Sequence, residues 1–258
     1  EKTKISEYVA LIKNNKPLQR LMVAGGGCKL ALSVATNGAV LCMLYGCMMG
    51  DYSQFYLPMM VVGYVFSAPF FLLTVRTSQK HGQKASLMTY VSVALIMYIG
   101  VLAILLLWQQ GNPAVTLSLL TGGKITINLY TIAFLLFFGI GYGAYYATAD
   151  MPIPMVADCS DYETWRSGKY VPGIMGTLFS LVDKLVSSLG TAIVGVVVGF
   201  IGFTKALPDA DVTYVPGMKG VVIILFCVVP MLAWIATLIA MKGYKLTGAR
   251  MKEIQAVN

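Results

Sequence analysis

The chain has 258 residues, 57% of them hydrophobic and only 12% charged, with a mean hydropathy of +0.74. A water-soluble domain carries about a quarter charged residues because its surface must be solvated, so a soluble, disordered, collagenous or nucleic-acid-binding chain is excluded. The formal charge of +8 then reports topology, through where each Lys and Arg sits, rather than a basic partner surface.

Residues 1–17 are polar and charged and end in Asn-Asn-Lys-Pro, with Pro17 where a helix would begin. They read as a cytoplasmic linker, with no signal peptide visible. Beyond them, stretches apolar enough to cross about 30 Å of hydrocarbon, which takes about 20 helical residues, recur along the chain. There are six, at about 18–49, 54–75, 85–108, 127–157, 173–203 and 220–241, followed by a cytoplasmic tail at 243–258. Closed strands would alternate apolar and polar residues, whereas these runs are apolar on every side. The expectation is an all-α membrane protein with a six-helix bundle over 18–242, its longer spans tilted or kinked.

Six crossings put both termini on one side. Fourteen Lys and Arg residues flank the spans there (among them Lys13, Lys16, Arg20, Arg76, Lys80, Lys84, Arg166, Lys169, Lys242 and Arg250), against three (Lys124, Lys205, Lys219) opposite. The positive-inside rule therefore predicts cytoplasmic termini.

The five cysteines lack metal-ligand spacing and read as packed free thiols, and the single His81 reads as a solvated loop residue. A catalytic centre would need a nucleophile, base or metal cluster at the bilayer. None is present in the pattern, so no catalytic residue, metal or cofactor is expected.

Charge inside a span costs about 2.5 to 3.5 kcal/mol on insertion scales, which makes each such residue a functional candidate. Lys29 follows Gly25, Gly26 and Gly27 in the first span, Asp150 lies in the fourth, and Asp183 and Lys184 are adjacent in the fifth. At about 1.5 Å per residue, all four fall in the cytoplasmic half of the bilayer, where a common cavity would let them neutralise one another. Neighbours on a helix point about 100° apart, so one of Asp183 and Lys184 is expected to face the cavity and the other a helix contact. In the fourth span Gly139, Gly141 and Gly143 precede Tyr145, Tyr146, Asp150, Pro152 and Pro154, a pattern expected to loosen the helix where it lines a cavity. Tyr145 and Tyr146 suit stacking on a sugar ring. Gly195 and Gly199 form a small-xxx-small pair expected to pack closely on another helix. The segment DCSDYETWRSGKY, Asp158 to Tyr170, reads as a cytoplasmic loop whose three acids and two bases can form salt bridges in one conformation and break them in another.

The run from Pro154 to Phe203 resembles the glycoside-pentoside-hexuronide:cation symporters, the melibiose-permease-like branch of the major facilitator superfamily. The resemblance rests on Asp158, Asp161, Tyr162 and Trp165, on Gly168, and on Lys184 about a dozen residues into the next helix. Asn37, the Arg76 to Gly82 loop and the Tyr244 to Arg250 ending agree as well, so it covers nearly the whole chain. It implies the C-terminal six-helix half of a twelve-helix carrier. That carrier would move a sugar with a cation (Na⁺ or H⁺) by alternating access, with the cation site mainly on an N-terminal half. By the same resemblance Lys184 couples cation to sugar, while Asn37, Tyr145, Tyr146, Asp150 and Ser180 are candidates for the sugar-facing wall. Asp158, Asp161 and Arg166 would close the cytoplasmic side. Four positions depart from the family pattern: Asp183 stands where an apolar residue is usual, Ala149 stands near an expected tryptophan, and Lys29 and Asp150 are atypical. The partners implied are sugar, cation, the lipid bilayer of the cytoplasmic membrane and the N-terminal half. The alternative is a stand-alone six-helix sensor or a homodimeric carrier of another solute.

Overall fold

A computed structural model describes residues 5–49, 52–109, 120–121, 124–125, 129–149, 151–209, 211–246 and 248–257. The chain runs through α1 (Ile5–Asn14), α2 (Lys16–Ala35), and α3 (Gly38–Leu41), which passes into a π-helical stretch at Cys42–Met48. Next come α4 (Tyr52–His81), α5 (Gln83–Leu107), a two-residue antiparallel ladder of β1 (Leu120–Thr121) with β2 (Lys124–Ile125), and α6 (Leu129–Thr148). It closes with α7 (Pro152–Ser167), α8 (Pro172–Gly199), α9 (Met218–Ile223) with a π-helical turn at Ile224–Val228, α10 (Val229–Lys242) and α11 (Gly248–Val257). Five helical stretches are long and apolar enough to cross a membrane, and the pair Lys16–Ala35 with Gly38–Met48, bent by 44°, supplies a sixth. The protein is an all-α membrane protein, as its composition predicts.

Local chemistry sets the breaks. α2 starts where Asn15 accepts the Leu18 N–H at 3.0 Å, with Pro17 in the first turn, where its missing donor costs nothing. It stops at Thr36, and Asn37 Oδ1 accepts the Ala39 N–H at 2.9 Å to start α3 in a new direction. The turn Ile224–Val228 is π-helical just ahead of Pro230, whose ring cannot share space with the carbonyl four residues back.

The fourth span differs from expectation. Pro152 does not merely loosen a helix end; it occupies the first turn of a new helix, α7. The segment from Asp158 to Tyr170 is consequently helical as far as Ser167 rather than a loop, and it ends at Gly168, which takes the left-handed conformation (φ +76°) with its N–H on the Thr164 carbonyl at 2.9 Å. The stretches read as linker and tail each contain a helix. α1 buries Leu11, and α11 buries Met251 and Ile254.

α2 packs chiefly on α10 and α8, and α6 on α5 and α4, with α5 and α10 joining the two groups. The packing order is therefore α8, α2, α10, α5, α6, α4, which leaves α4 and α8 at the edges as the most exposed spans. Glycine permits the close approaches. A Cβ on Gly143 would lie 2.7 Å from the Phe66 carbonyl oxygen of α4, and one on Gly141 would lie 2.8 Å from the Tyr98 ring of α5. Gly139, Gly141 and Gly143 thus seat α6 between its neighbours. Gly195 and Gly199 meet nothing within 4 Å among the described residues. The close packing expected of that pair is absent here because α8 turns this face away from its own bundle.

Candidate functional site

Where α2, the α6–α7 junction and α8 converge, they enclose a cavity of about 430 Å³. α2 contributes Gly25, Gly26 and Lys29, the junction contributes Ala149, Pro152 and Ile153, and α8 contributes Gly176, Phe179, Ser180 and Asp183. The two glycines keep that wall of α2 flat: a Cβ at Gly25 would meet Pro152 at 3.4 Å and one at Gly26 would meet Val186 at 3.5 Å. Lys29 and Asp183 therefore line one cavity from different helices. Asp150, the third member, lies outside the described residues.

Lys184 takes a different direction. It is exposed, in register with Thr177, Ser180, Ser187 and Thr191, which form a polar stripe at helical spacing along α8. The opposite face carries Met175, Leu178, Gly190, Val194 and Val198 and is buried within the bundle. Asp183 is thus the residue that lines the cavity. Lys184 does not face a helix contact as expected, because the polar stripe belongs to an edge helix with an open side. Among the described residues neither Asp183 nor Lys184 forms an ion pair.

The remaining sugar-wall candidates divide between two surroundings. Asn37 serves as the cap described above, at the bend of the first span. Tyr145 is 2% exposed, its ring 5.8 Å from Tyr98 and 5.3 Å from Trp234, so most of it is core. Tyr146 stacks on Tyr142 at 5.5 Å and meets Tyr64 edge-on at 5.7 Å. Both tyrosines also line a second cavity, between α2, α4 and α6.

At the end of the bundle that carries the basic residues, Arg166 pairs with Glu163, and Asp161 lies near Asp158. Arg166 holds Glu163 through two bonds, Nη2 to Oε1 at 2.7 Å and Nε to Oε2 at 3.2 Å. Asp161 accepts from Gln255 Nε2 at 3.1 Å, and Arg250 lies 4.8 Å over the Trp165 ring, so α11 is tied to α7 at two points. Sequence reasoning missed Glu163, which is 4% exposed and also accepts from Asn15 Nδ2 at 3.3 Å. The i,i+3 spacing of Glu163 and Arg166 on a helix was the available signal, hidden as long as this stretch was read as a loop. Gln255 carried no comparable signal, since its bond to Asp161, like the stacking of Arg250 on Trp165, joins distant parts of the chain.

Asp158 lines a third cavity, of about 470 Å³, with His81 and Lys84 at the α4–α5 turn and Leu246 and Met251 of the tail. It lies beyond the apolar part of the fourth span, at the basic edge. Burial foremost, and Asp161 nearby, push its carboxyl up from the usual carboxylate range to about 6. A raised acid is more protonated folded than unfolded, so its contribution favours the docked tail below the ordinary carboxylate value and weakens as pH rises toward 6. Limited proteolysis of α11 in the intact protein should accordingly quicken between about pH 4 and pH 6.5, and D158N should flatten that dependence. An unchanged profile in D158N would remove Asp158 from the latch.

Residues 1–248 match the family model described as MFS/sugar transport protein. Among curated proteins, the chain is 36% identical over 110 residues to an uncharacterised 29.9 kDa protein of Pseudescherichia vulneris, covering 43% of this chain and 39% of that one. It is 31% identical over 100 residues to a protein named "Putative glycoside/cation symporter YagG" from Escherichia coli strain K12, covering 39% of this chain and 21% of that one. The aligned regions thus span well under two thirds of either relative's length. With a match over nearly its whole length and six candidate spans in one bundle, this integral membrane protein belongs to the MFS/sugar transport family.

Proposed function

We propose that this chain is the C-terminal half-bundle of a secondary transporter carrying a glycoside, pentoside or hexuronide in symport with Na⁺ or H⁺ by alternating access. The observation that carries the reading is α8. An edge helix with Thr177, Ser180, Lys184, Ser187 and Thr191 on its open side is costly against lipid and suits a water-filled path shared with a second half-bundle. The exposed, glycine-bearing face of α8 and the equally exposed α4 offer two edges for that N-terminal half. Membership of a sugar-transport family supports the substrate class, and a relative named as a glycoside/cation symporter supports the coupling.

In this reading the sugar meets Lys29, Ser180 and Asp183 in the cavity, and Asn37, Tyr145, Tyr146 and Asp150 are the further candidates for contact with it. Lys184, on the open stripe, transmits the charge state of a cation site located mainly on the N-terminal half. No covalent chemistry is involved. Asp158, Asp161 and Arg166 shape the cytoplasmic closure indirectly, through the α11 latch and Glu163. The basic end of the bundle faces the cytoplasm of a plasma-membrane protein, with both termini of this segment inside.

The test is uptake of radiolabelled glycosides, pentosides and hexuronates by the intact protein in proteoliposomes, with and without a Na⁺ or H⁺ gradient. Accumulation of one sugar class against its gradient, dependent on one cation, is the expected result. Correctly inserted protein that accumulates none of them would overturn it in favour of a sensor or a carrier of another solute.

A further inference from the structure

An open groove of about 460 Å³ runs between α2 and α10 at the basic end of the bundle. Gln19, Arg20 and Val23 line it on one side, and Ala236, Ile239 and Ala240 on the other. Val23 precedes Gly25 by two residues, about 200° around the helix, so the groove lies on the face of α2 opposite the cavity that Gly25 lines. Its walls are those of a lipid-facing surface. Val23 and Ile239 are 51% and 62% exposed, and Leu232 and Ile235 continue the exposed apolar stripe along α10, away from the basic end. Such a stripe is at ease against acyl chains, which are as apolar as leucine.

The mouth of the groove is cationic. Arg20 crosses it: a Cβ on Gly243, just past the end of α10, would lie 2.6 Å from the Arg20 Cζ. Lys16 precedes Arg20 by four residues and Lys242 follows Ile239 by three, so each stands on the groove's face of its own helix, one turn nearer the basic end. Gln19 Nε2 donates to the Ile12 and Lys13 carbonyls at 2.6 and 3.2 Å, which seats the end of α1, and Lys13 with it, beside the same mouth. No acid lines the groove, and among the described residues none of these four cations forms an ion pair.

Membrane topology asks that Lys and Arg lie on this side, but not that four of them gather at one groove with a guanidinium drawn across it from helix to helix. Cations above an apolar trough complement a molecule with an acyl chain at one end and a phosphate at the other. Basic pockets between spanning helices are a known form of anionic headgroup site. A soluble phosphate has no use for the trough, and a zwitterionic phospholipid brings an ammonium of its own to the cations.

We infer that this groove holds an anionic phospholipid, its phosphate among Lys16, Arg20 and Lys242 and one acyl chain along Val23, Ala236 and Ile239. The site is independent of which solute the protein carries.

The test is native mass spectrometry of the intact protein in detergent, titrated with phosphatidylglycerol or with phosphatidylcholine of the same acyl chains. Wild type should bind the first phosphatidylglycerol about tenfold or more tighter than phosphatidylcholine. K16Q/R20Q should bring that preference to within about twofold, whereas K80Q/K252Q, which removes as much charge from α4 and α11, should keep it. A236W, at an exposed position, should weaken phosphatidylglycerol with every cation in place, because the indole fills the trough. Equal loss of preference in the two double variants would reduce the effect to diffuse surface charge and overturn the site. Full preference in K16Q/R20Q, undiminished binding in A236W, or displacement of the lipid by glycerol phosphate would overturn it too.

Discussion

Gly27→Leu is expected to leave almost no folded bundle. A Cβ at Gly27 would lie 2.7 Å from the Ala233 carbonyl oxygen of α10 and press on the Thr237 side chain, and backbone cannot rotate aside as a side chain can. This contact lies in the α2–α10 pairing, where Thr237 also donates to the Ala24 and Ala233 carbonyls at 3.2 and 3.0 Å, a spacing that fixes the two helices close together. Overpacking a tight core costs about 1 to 3 kcal/mol for small additions, and a full leucine in this seam exceeds that range. The measurement is the monodisperse fraction of protein extracted in mild detergent, compared with Gly26→Ala and Gly199→Ala. The first control meets only Val186 at 3.5 Å and Val182 at 3.9 Å, and the second meets nothing within 4 Å among the described residues. Both should be recovered nearly as wild type. Recovery of folded Gly27→Leu would show that α2 and α10 separate more easily than this geometry allows.

The second large effect concerns coupling. Lys184 stands in the polar stripe on the open side of α8, with no ion-pair partner among the described residues, while Asp183 one position earlier turns into the cavity. In the proposed reading, a cation on a facing half would feel the Lys184 charge and a sugar in the cavity would feel Asp183, so the two adjacent residues would couple the sites along one helix. Coupling between ligands of this kind is commonly about 1 to 3 kcal/mol, or roughly 5- to 150-fold in affinity. In the intact protein, Lys184→Ala should bring the cation-dependent gain in sugar affinity close to one, and Lys184→Arg should keep part of it. A full cation effect in Lys184→Ala would assign coupling elsewhere. Because the residue is exposed, loss of fold is not expected to confuse the result, and recovery in detergent is the check.

The number and order of membrane spans were legible in the sequence, because hydrocarbon thickness turns hydropathy directly into helix length. The same composition excluded soluble classes, and the Pro154 to Phe203 run was enough to suggest the family. Asn15 and Pro17 also mark the start of α2 by residue type alone. Breaks were harder to read. Pro152 and Pro154 are compatible with the end of one helix or the start of the next, and which of these occurs depends on what the following residues can pack against.

Three features were decided only by the tertiary structure. The direction of Lys184 relative to Asp183 follows from the position of α8 at the edge of the packing order, which no periodicity within α8 encodes. The partners within this segment, the Arg166–Glu163 pair, the Gln255–Asp161 bond and the Arg250–Trp165 stack, follow from its being helical and from α11 docking on it. The second cavity gathers tyrosines from three spans, of which the sequence singled out only Tyr145 and Tyr146. Span count is a property of each segment's own transfer free energy, so the sequence by itself determined it. Facing, pairing and cavity walls are set by which helices share a side, and only the folded bundle decides that.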